Sequence, residues 1–188
     1  MKKILIFLIL LISVNVPWAV AQTTEEKMAD GKEIVPKETV KYDLAYPGIL
    51  PDNLLYKLKV LRDKITVALI NDPKKKVDFY LLQADKGILA TAMLVDKNEV
   101  KLAQETLLKA ENNFTLITAQ FGRFTQKPDD SFFQKLKTAS KKHQEVIIKL
   151  IARVPKEDRK TFEDALWFSK RNLMSVQEFE KKTQERSD

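Results

Sequence analysis

The sequence contains no cysteine, a single histidine and only four glycines among its 188 residues. Without cysteine the chain has no thiol nucleophile, no disulfide framework and no thiolate ligand for zinc or an iron–sulfur cluster. One imidazole is too little for a histidine metal site, and it makes a catalytic triad improbable. The scarcity of glycine argues against Gly-rich phosphate-binding loops. We therefore predict no cofactor, and we assign no catalytic, cofactor-binding or metal-ligating residue.

What the chain does contain is 44% hydrophobic and 31% charged residues. That balance is typical of one folded domain rather than of a disordered chain. The formal net charge is +7 and the isoelectric point is about 9.4. Bases and acids are interspersed, as in residues 156–160 (KEDRK). This alternation is typical of solvated helix faces and does not indicate a concentrated basic patch.

The first 21 residues have the pattern of an export signal. Two lysines precede the apolar run Ile4–Val16, and Ala19–Ala21 forms an A-x-A cleavage site before Gln22. The run is shorter than the ~20 residues that span a bilayer, which disfavours the alternative of an uncleaved anchor helix. We predict a cleaved signal peptide over 1–21 and an extracytoplasmic protein (secreted, periplasmic or at the cell surface) with no stable membrane anchor. Export argues against nucleic acid as a partner.

Two segments of different character follow the leader. Residues 22–41 are polar and lack periodicity, which predicts a flexible tether. Residues 42–51 (YDLAYPGILP) contain the turn dipeptide Pro47-Gly48 among aromatic and aliphatic side chains. We name this segment the strap. We expect it to lie along the helical body, because its large side chains need cover: Tyr42, Leu44, Tyr46, Ile49 and Leu50.

The rest of the chain shows helical periodicity. A first helix is predicted from a cap at Asp52 or Asn53 to about Ile70, with an inward face of Leu54, Leu58, Leu61, Ile65 and Ala68. A second is predicted from the cap Asp72, with Pro73 in its first position, to about Val95. Its inward face comprises Val77, Leu81, Ala84, Ile88, Ala92 and Val95.

The third helix has the clearest pattern, a 3-4 spacing held for three heptads up to the terminator Gly122: Val100, Ala103, Leu107, Ala110, Phe114, Ile117 and Phe121. A fourth is predicted from residues 129–131 to about Val154, with Leu136, Ser140, His143, Ile147, Leu150 and Val154 inward. The fifth opens at Pro155 and packs through Phe162, Leu166, Ser169, Leu173 and Val176. Short loops favour antiparallel neighbours, so we predict an all-α antiparallel bundle of about five helices over 42–186.

Two stretches resemble the opening of a bacterial family known only as domain of unknown function 5667. They are residues 46–65 (YPGILPDNLLYKLKVLRDKI) and residues 71–86 (NDPKKKVDFYLLQADK), and a later stretch, 143–159, is also similar. The resemblance extends over residues 46–180, although Asp85-Lys86-Gly87 stands where the family usually has an Arg-Leu-x-Glu run. It implies an exported all-helical domain and carries no activity, cofactor or catalytic residue.

Few side chains are candidates for chemistry. His143 falls on a predicted apolar seam, which favours a satisfied core histidine over a metal ligand, since no ligand lies three or four residues away. Two carboxylate pairs could meet across helices as acid and base, namely Asp63 with Asp72 and Glu111 with Asp85. Nothing in the sequence requires them to meet. The sequon at Asn113 falls in a seam-forming helix and reads as fortuitous.

Adjacent aromatic pairs suggest a different kind of site. Neighbours on a helix point about 100° apart, so one member of Trp167-Phe168 and one of Phe132-Phe133 should leave the core. The pairs could flank the edge of the core or form an exposed patch for a partner.

These observations favour an exported, non-enzymatic interaction module with an unknown protein or envelope partner. The alternatives are an extracytoplasmic chaperone-like holdase, which needs a broad apolar groove, and an unrecognised enzyme, which needs a polar pocket with convergent acids. A second copy of the chain would equally satisfy the seam of the third helix, so a homo-oligomer stays open.

Overall fold

A computed structural model describes residues 39–185, and within this range the chain is all-helical without a β-strand. The five helices are α1 (Tyr56–Leu69), α2 (Pro73–Asp96), α3 (Val100–Thr118), α4 (Asp130–Arg153) and α5 (Arg159–Glu185). Short 3₁₀ turns follow α3 and precede α5, at Phe121–Arg123 and Lys156–Asp158. The predicted helical class with five helices is confirmed. The predicted signal peptide and the predicted tether as far as residue 38 lie outside the described residues.

Two helix starts follow from capping chemistry, as the sequence predicts. The Asp72 side chain accepts a hydrogen bond from the Lys75 amide at 2.7 Å, with Pro73 in the first helical position. The Asp129 carboxylate accepts from the Phe132 amide at 2.8 Å in the same way. Each carboxylate satisfies an amide that has no partner inside the helix.

Three other boundaries differ from the prediction. The fifth helix begins at Arg159 rather than at Pro155, and the residues between them form a separate 3₁₀ turn, Lys156–Asp158. The first helix begins at Tyr56 rather than directly after residues 52–53, because the Asn53 side chain accepts from the Leu55 amide at 2.8 Å and holds a turn there. The third helix ends at Thr118, before the predicted terminator Gly122, and the chain continues as a 3₁₀ turn that still buries Phe121.

Helices α2–α5 form the bundle as two helical hairpins, α2/α3 and α4/α5. The hairpins pair so that helices of the same direction lie side by side. Lys135 binds Asp78 at 2.9 Å near the starts of α4 and α2, and Arg153 binds Asp96 near their ends. Likewise Gln104 reaches the Asp158 carbonyl at 3.0 Å beside the start of α5. The predicted antiparallel arrangement therefore holds within each hairpin, whereas the neighbours between hairpins are parallel.

The two helices of the first hairpin approach closely at Gly87. A Cβ added to this glycine would lie 2.6 Å from the Cβ of Ala110 and 3.2 Å from its Cα. The absence of a side chain at Gly87 is thus a packing requirement of the α2/α3 crossing. This glycine belongs to the short stretch that departs from the family pattern.

The core consists of two apolar clusters, one at each end of the bundle. One includes Phe114, Phe133 and Leu136, and the other includes Leu107, Ile147 and Phe162. Between them every helix of the bundle contributes buried polar side chains, which we name the polar layer: Asp85, Glu111, Ser140, His143, Ser169 and Asn172. The predicted seams of α2–α5 are largely buried, but Ala92, Val95, Val100 and Leu173 are only half-buried.

The strap lies against this bundle, as expected, through part of its side chains. Leu50 and Pro47 are buried, and Tyr42 and Leu44 pack against the two apolar clusters on either side of the polar layer. Tyr46 and Ile49, which we expected to be covered, are exposed. The Val40 amide, inside the predicted tether, donates to Glu145 at 2.8 Å, so the last residues of that range also touch the bundle.

The predicted inward face of α1 is wrong. Leu54, Leu58, Leu61, Ile65 and Ala68 are all exposed, and no residue of α1 is fully buried. The half-buried side chains are instead those of the opposite side, including Tyr56, Val60, Asp63 and Val67. The apolar periodicity marked a real helix face, but that face points away from the bundle.

Candidate functional site

The polar layer centres on His143, whose ring lies between two carboxylates. Its Nε2 is 2.8 Å from Asp85 Oδ1, and its Nδ1 is 3.5 Å from Glu111 Oε1. The Phe114 ring meets the imidazole edge-to-face at a centroid distance of 5.6 Å. Helices α2, α3 and α4 thus each contribute one titratable side chain, and all three are buried.

Glu111 is held from its other side by α5. The Asn172 amide donates to Glu111 Oε2 at 3.2 Å, and the Thr115 hydroxyl donates to Asn172 Oδ1 at 3.1 Å. The remaining pair of atoms, Glu111 Oε1 and His143 Nδ1, has no hydrogen bond within the described part of the chain. Their contact is therefore an ion pair between buried groups without a hydrogen bond.

The two neighbouring acids favour the protonated form of the His143 ring. Burial by itself would lower the pKa of His143, but the hydrogen bond to Asp85 and the interactions with Glu111 outweigh it and raise the pKa to about 9. At neutral pH the ring is then an imidazolium between two acids. The cluster can hold a proton firmly, but its burial separates that proton from any solute.

The same geometry does not suit a metal ion. A metal would need lone pairs from the ring and from the acids converging on one point. Here Asp85 and Glu111 lie at opposite ring nitrogens, so no point is close to all three. Within residues 39–185 no group of three or more potential ligands is placed to hold a metal.

The strap covers the polar layer. The Tyr42 hydroxyl donates to Asp85 Oδ2 at 2.7 Å, so both oxygens of Asp85 are engaged. Burial, and then this hydrogen bond, raise the pKa of Tyr42 above its usual value. A second anchor is Glu145, which accepts from the Val40 amide and contacts Lys142 and Lys149. Burial opposes its charge, but these donors lower the pKa of Glu145 to about 2.

The second notable feature is the outer face of α1, a name we use for Leu54, Leu58, Leu61, Ile65 and Leu69. These side chains are between 54% and 92% exposed. Four of these five side chains form a stripe on α1, and Leu54 extends the stripe from the turn that precedes the helix. Such a group of neighbouring large aliphatic side chains goes far beyond the scattered apolar residues of an ordinary surface. Exposed apolar patches of this kind are common where proteins meet partners or membranes.

The inner face of α1 borders a groove on the bundle. Tyr56, Val60 and Val67 line it from α1, and Phe79 and Tyr80 of α2 line it from the other side. The groove has a volume of about 380 Å³ and is also lined by polar side chains of α1, α2 and α3: Lys59, Asp63, Lys64, Gln83, Lys109, Asn112 and Asn113. Lys59 secures α1 to the strap, donating to the Pro47 carbonyl at 2.8 Å.

Charged side chains flank the outer face. At 100° per residue, Lys57 and Lys64 fall on one side of the leucine stripe and Arg62 falls on the other. Asp63 is the only acid of α1; it belongs to the inner face and pairs with Arg62 at 2.8 Å. Lys86 of α2 lines a hollow together with Leu55 and Leu58. The stripe is thus apolar with basic edges.

The other predicted candidates are distributed differently. Glu111 and Asp85 do meet, but through the ring of His143, whereas Asp63 pairs with Arg62 and Asp72 caps α2. Asn113 is half-buried beside the groove.

The aromatic pairs also differ from each other. Phe132 and Phe133 are both buried, so the expectation that one would leave the core is wrong for that pair. Trp167 is 56% exposed beside half-buried Phe168, and Arg171 lies over both rings. The second pair therefore follows the prediction.

Comparison with known protein families identifies a family for this chain. The family described as Domain of unknown function (DUF5667) matches residues 48–157, more than half of the chain. The match spans the end of the strap and α1–α4, and it ends before α5, earlier than residue 180. No curated protein and no solved structure matches the chain. In the described range no helix has the length and apolar character needed to cross a bilayer.

Proposed function

The chain belongs to the family Domain of unknown function (DUF5667), and from this premise we propose that it is an exported, non-enzymatic interaction module that docks through the outer face of α1. The observation that carries the proposal is the exposure of Leu58, Leu61, Ile65 and Leu69 along one helix, with Leu54 exposed in the turn before it. Covering a large aliphatic side chain is worth about 1.5–3 kcal/mol. A partner that covers this stripe therefore gains a substantial apolar contribution.

The polar layer supports a non-enzymatic role. Asp85, Glu111 and His143 are the residues best suited to acid–base chemistry, and His143 is fully buried while the two acids are almost so. A general base must come within hydrogen-bond reach of its substrate. These groups instead bind one another and the strap, which favours a role in holding the bundle and the strap together.

A holdase is less well supported. Cradling unfolded chains requires a broad apolar concave surface. The groove beside α1 is small and mixes aromatic with charged and amide side chains, among them Lys59, Asp63 and Lys109. The leucines are on the convex side of α1, facing away from that groove. This arrangement favours docking against a defined surface.

The proposal can be tested with one introduced cysteine, because the chain has none of its own. A Leu61→Cys variant carries a polarity-sensitive nitrobenzoxadiazole label in the outer face, and a Lys170→Cys variant carries it at an exposed position of α5. On addition of the total envelope fraction of the producing cells, emission should shift to the blue at position 61 and stay unchanged at position 170. If position 61 remains as water-exposed as position 170, the docking proposal is wrong.

A further inference from the structure

The outer face of α1 forms a ridge whose apolar side points straight away from the bundle. At 100° per residue, Leu58, Leu61, Ile65 and Leu69 fall within an arc of about 80°. The half-buried side chains Tyr56, Val60, Asp63 and Val67 lie on the opposite side of the same helix. The helix therefore presents its leucines outward along its whole length, about 20 Å at 1.5 Å per residue.

The apolar surface continues from α1 onto the strap. Tyr46 and Ile49 are exposed, and they line one hollow together with Leu55 and Leu58. An aromatic ring with a polar end, such as that of Tyr46, is favoured at the boundary between hydrocarbon and water. The patch thus has an aliphatic centre along α1 and an exposed tyrosine near one end.

The charged side chains beside this patch distinguish between its possible partners. Lys57 borders the leucines on one side, with Lys64 behind it at the rim of the groove, and Arg62, which pairs with Asp63, borders them on the other. Asp63 is the only acid of the helix and lies on its inner face. Pairing α1 with the α1 of a second copy would bring two basic edges together, and like charges at a contact are unfavourable. A negatively charged surface complements both edges at once.

The shape of the patch points the same way. A protein partner usually receives anchor side chains in fitted pockets. Here the leucines stand on a convex ridge, which can sink into a soft apolar medium while the cations on either side stay at its polar boundary. An apolar stripe between basic edges is the arrangement of helices that lie in a membrane interface.

Resting on the docking function proposed above, we infer that the partner of the outer face is the surface of a lipid bilayer rich in anionic phospholipid. The helix would lie parallel to the bilayer plane, with Leu58, Leu61 and Ile65 below the headgroups and Lys57 and Lys64 among them. The bundle, on the opposite side of α1, would stay in water. This is attachment to a surface and involves no crossing of the membrane.

The experiment uses the full chain with the label at position 61, so that a blue shift reports burial of the outer face itself rather than insertion of the apolar run near the N-terminus. The probes are vesicles of phosphatidylcholine alone and vesicles of phosphatidylcholine with an equal amount of phosphatidylglycerol. We expect a blue shift at position 61 with the anionic vesicles, a much weaker one with neutral vesicles, and none at position 170. Added salt should reduce the shift.

Two matched charge variants sharpen the test. Lys57→Gln with Lys64→Gln removes the basic edge on one side of the leucines, and Lys141→Gln with Lys170→Gln removes the same charge from exposed positions of α4 and α5. Each lysine near an anionic surface contributes about 1 kcal/mol. The first pair should therefore lower the apparent vesicle affinity, read from the label at position 61, by about tenfold or more, and the second should leave it nearly unchanged. Circular dichroism checks that both variants keep the helical fold.

The outcomes separate this inference from the proposed function. Equal binding to neutral and anionic vesicles, or equal losses in the two charge variants, would overturn the anionic surface as the partner. A blue shift that grows with protein concentration without lipid would assign the face to a second copy instead. A shift with the envelope fraction that survives removal of its lipid would assign it to a protein and leave the docking function standing.

Discussion

The hydroxyl of Tyr42 lies 2.7 Å from Asp85 Oδ2, while the other oxygen of the same carboxylate lies 2.8 Å from the ring of His143. The strap is therefore fastened to the centre of the bundle rather than to its surface. One acid joins a segment that precedes the first helix to a side chain of α4.

Removing this hydroxyl should loosen the strap and destabilise the domain. A Tyr42→Phe variant keeps the ring packed but leaves Asp85 Oδ2 without its donor, which costs about 1–3 kcal/mol for a buried polar atom. The free energy of unfolding in urea measures the loss. Tyr46→Phe is the control, because Tyr46 is exposed and its change should be near zero. Equal effects at both tyrosines would contradict the role of the Tyr42–Asp85 bond.

The histidine should titrate far above its usual range. Since the chain has one His, its ring protons give a single set of nuclear magnetic resonance signals, and their midpoint should lie near the pKa of about 9. A group whose pKa is raised in the folded state stabilises that state at pH values below its unfolded pKa, which is about 6.5 for histidine. This contribution to stability is lost as the pH rises through 9. Unfolding free energies should thus fall between pH 7 and 10. A midpoint near 6.5 would contradict the buried ion pairs.

Low pH should weaken the second anchor of the strap, the contact between Glu145 and the Val40 amide. The pKa of Glu145 is lowered to about 2. The side chain therefore stabilises the folded state at pH values above its unfolded pKa of about 4.3, and this contribution is lost as the pH falls toward 2. Glu145→Gln should destabilise the chain by about 1–3 kcal/mol at pH 7, with the difference from the natural chain shrinking toward pH 2. Hydrogen exchange at the Val40 amide should be faster in the variant. The exposed Glu105→Gln serves as control and should change neither quantity.

A methyl group at Gly87 should clash with α3 where α2 and α3 cross. Alanine is worth about 1 kcal/mol more than glycine inside a helix, yet the added Cβ would lie 2.6 Å from that of Ala110. We expect Gly87→Ala to destabilise the bundle, since overpacking costs about 1–3 kcal/mol. Adding Ala110→Gly relieves much of the clash, so the double variant should lose less than the sum of the single ones. Thermal unfolding of the four proteins measures this coupling, and simple additivity would contradict the clash.

The helices were predictable because their causes are local. Asp72 followed by Pro73 starts α2 by capping chemistry that a few residues contain in full. The seam of α3 holds an apolar period long enough to exclude a strand. The pairing of the two hairpins depends on which helices meet, and no stretch of the chain contains that information by itself.

The outer face of α1 shows where periodicity stops being informative. Leu58, Leu61 and Ile65 form a clear stripe, and a stripe predicts that something covers it. The pattern does not say whether the cover is the bundle or another surface. The strap fixes the answer, because Lys59 binds the Pro47 carbonyl and the side of α1 bearing Tyr56 and Val60 lines the groove on the bundle.

The polar layer was predictable only in part. The spacing of His143 predicts a position in the core, and Glu111 with Asp85 is one of two carboxylate pairs that the sequence allows to meet. In the sequence, Asp85 lies 58 positions before His143 and Glu111 lies 32 positions before it. Local spacing therefore cannot reveal that the three side chains meet. A usable signal was present: each acid directly follows an alanine of an apolar seam, Ala84 or Ala110.

The polar layer also fixes how the helices align lengthwise. Apolar seams built from alanine, leucine and isoleucine repeat almost identically after one turn, so they would tolerate a helix that slides by about 5.4 Å. If α4 slid by one turn, Ala139 or Ile147 would stand at the level of His143, and the imidazolium would enter an apolar cluster while Asp85 and Glu111 faced each other unneutralised. An unpaired buried charge is far more costly than an imperfect apolar contact. Asp85, Glu111 and His143, in the middle of the bundle, thus set the lengthwise register of the helices. The two hairpins have one alignment in which these three side chains pair.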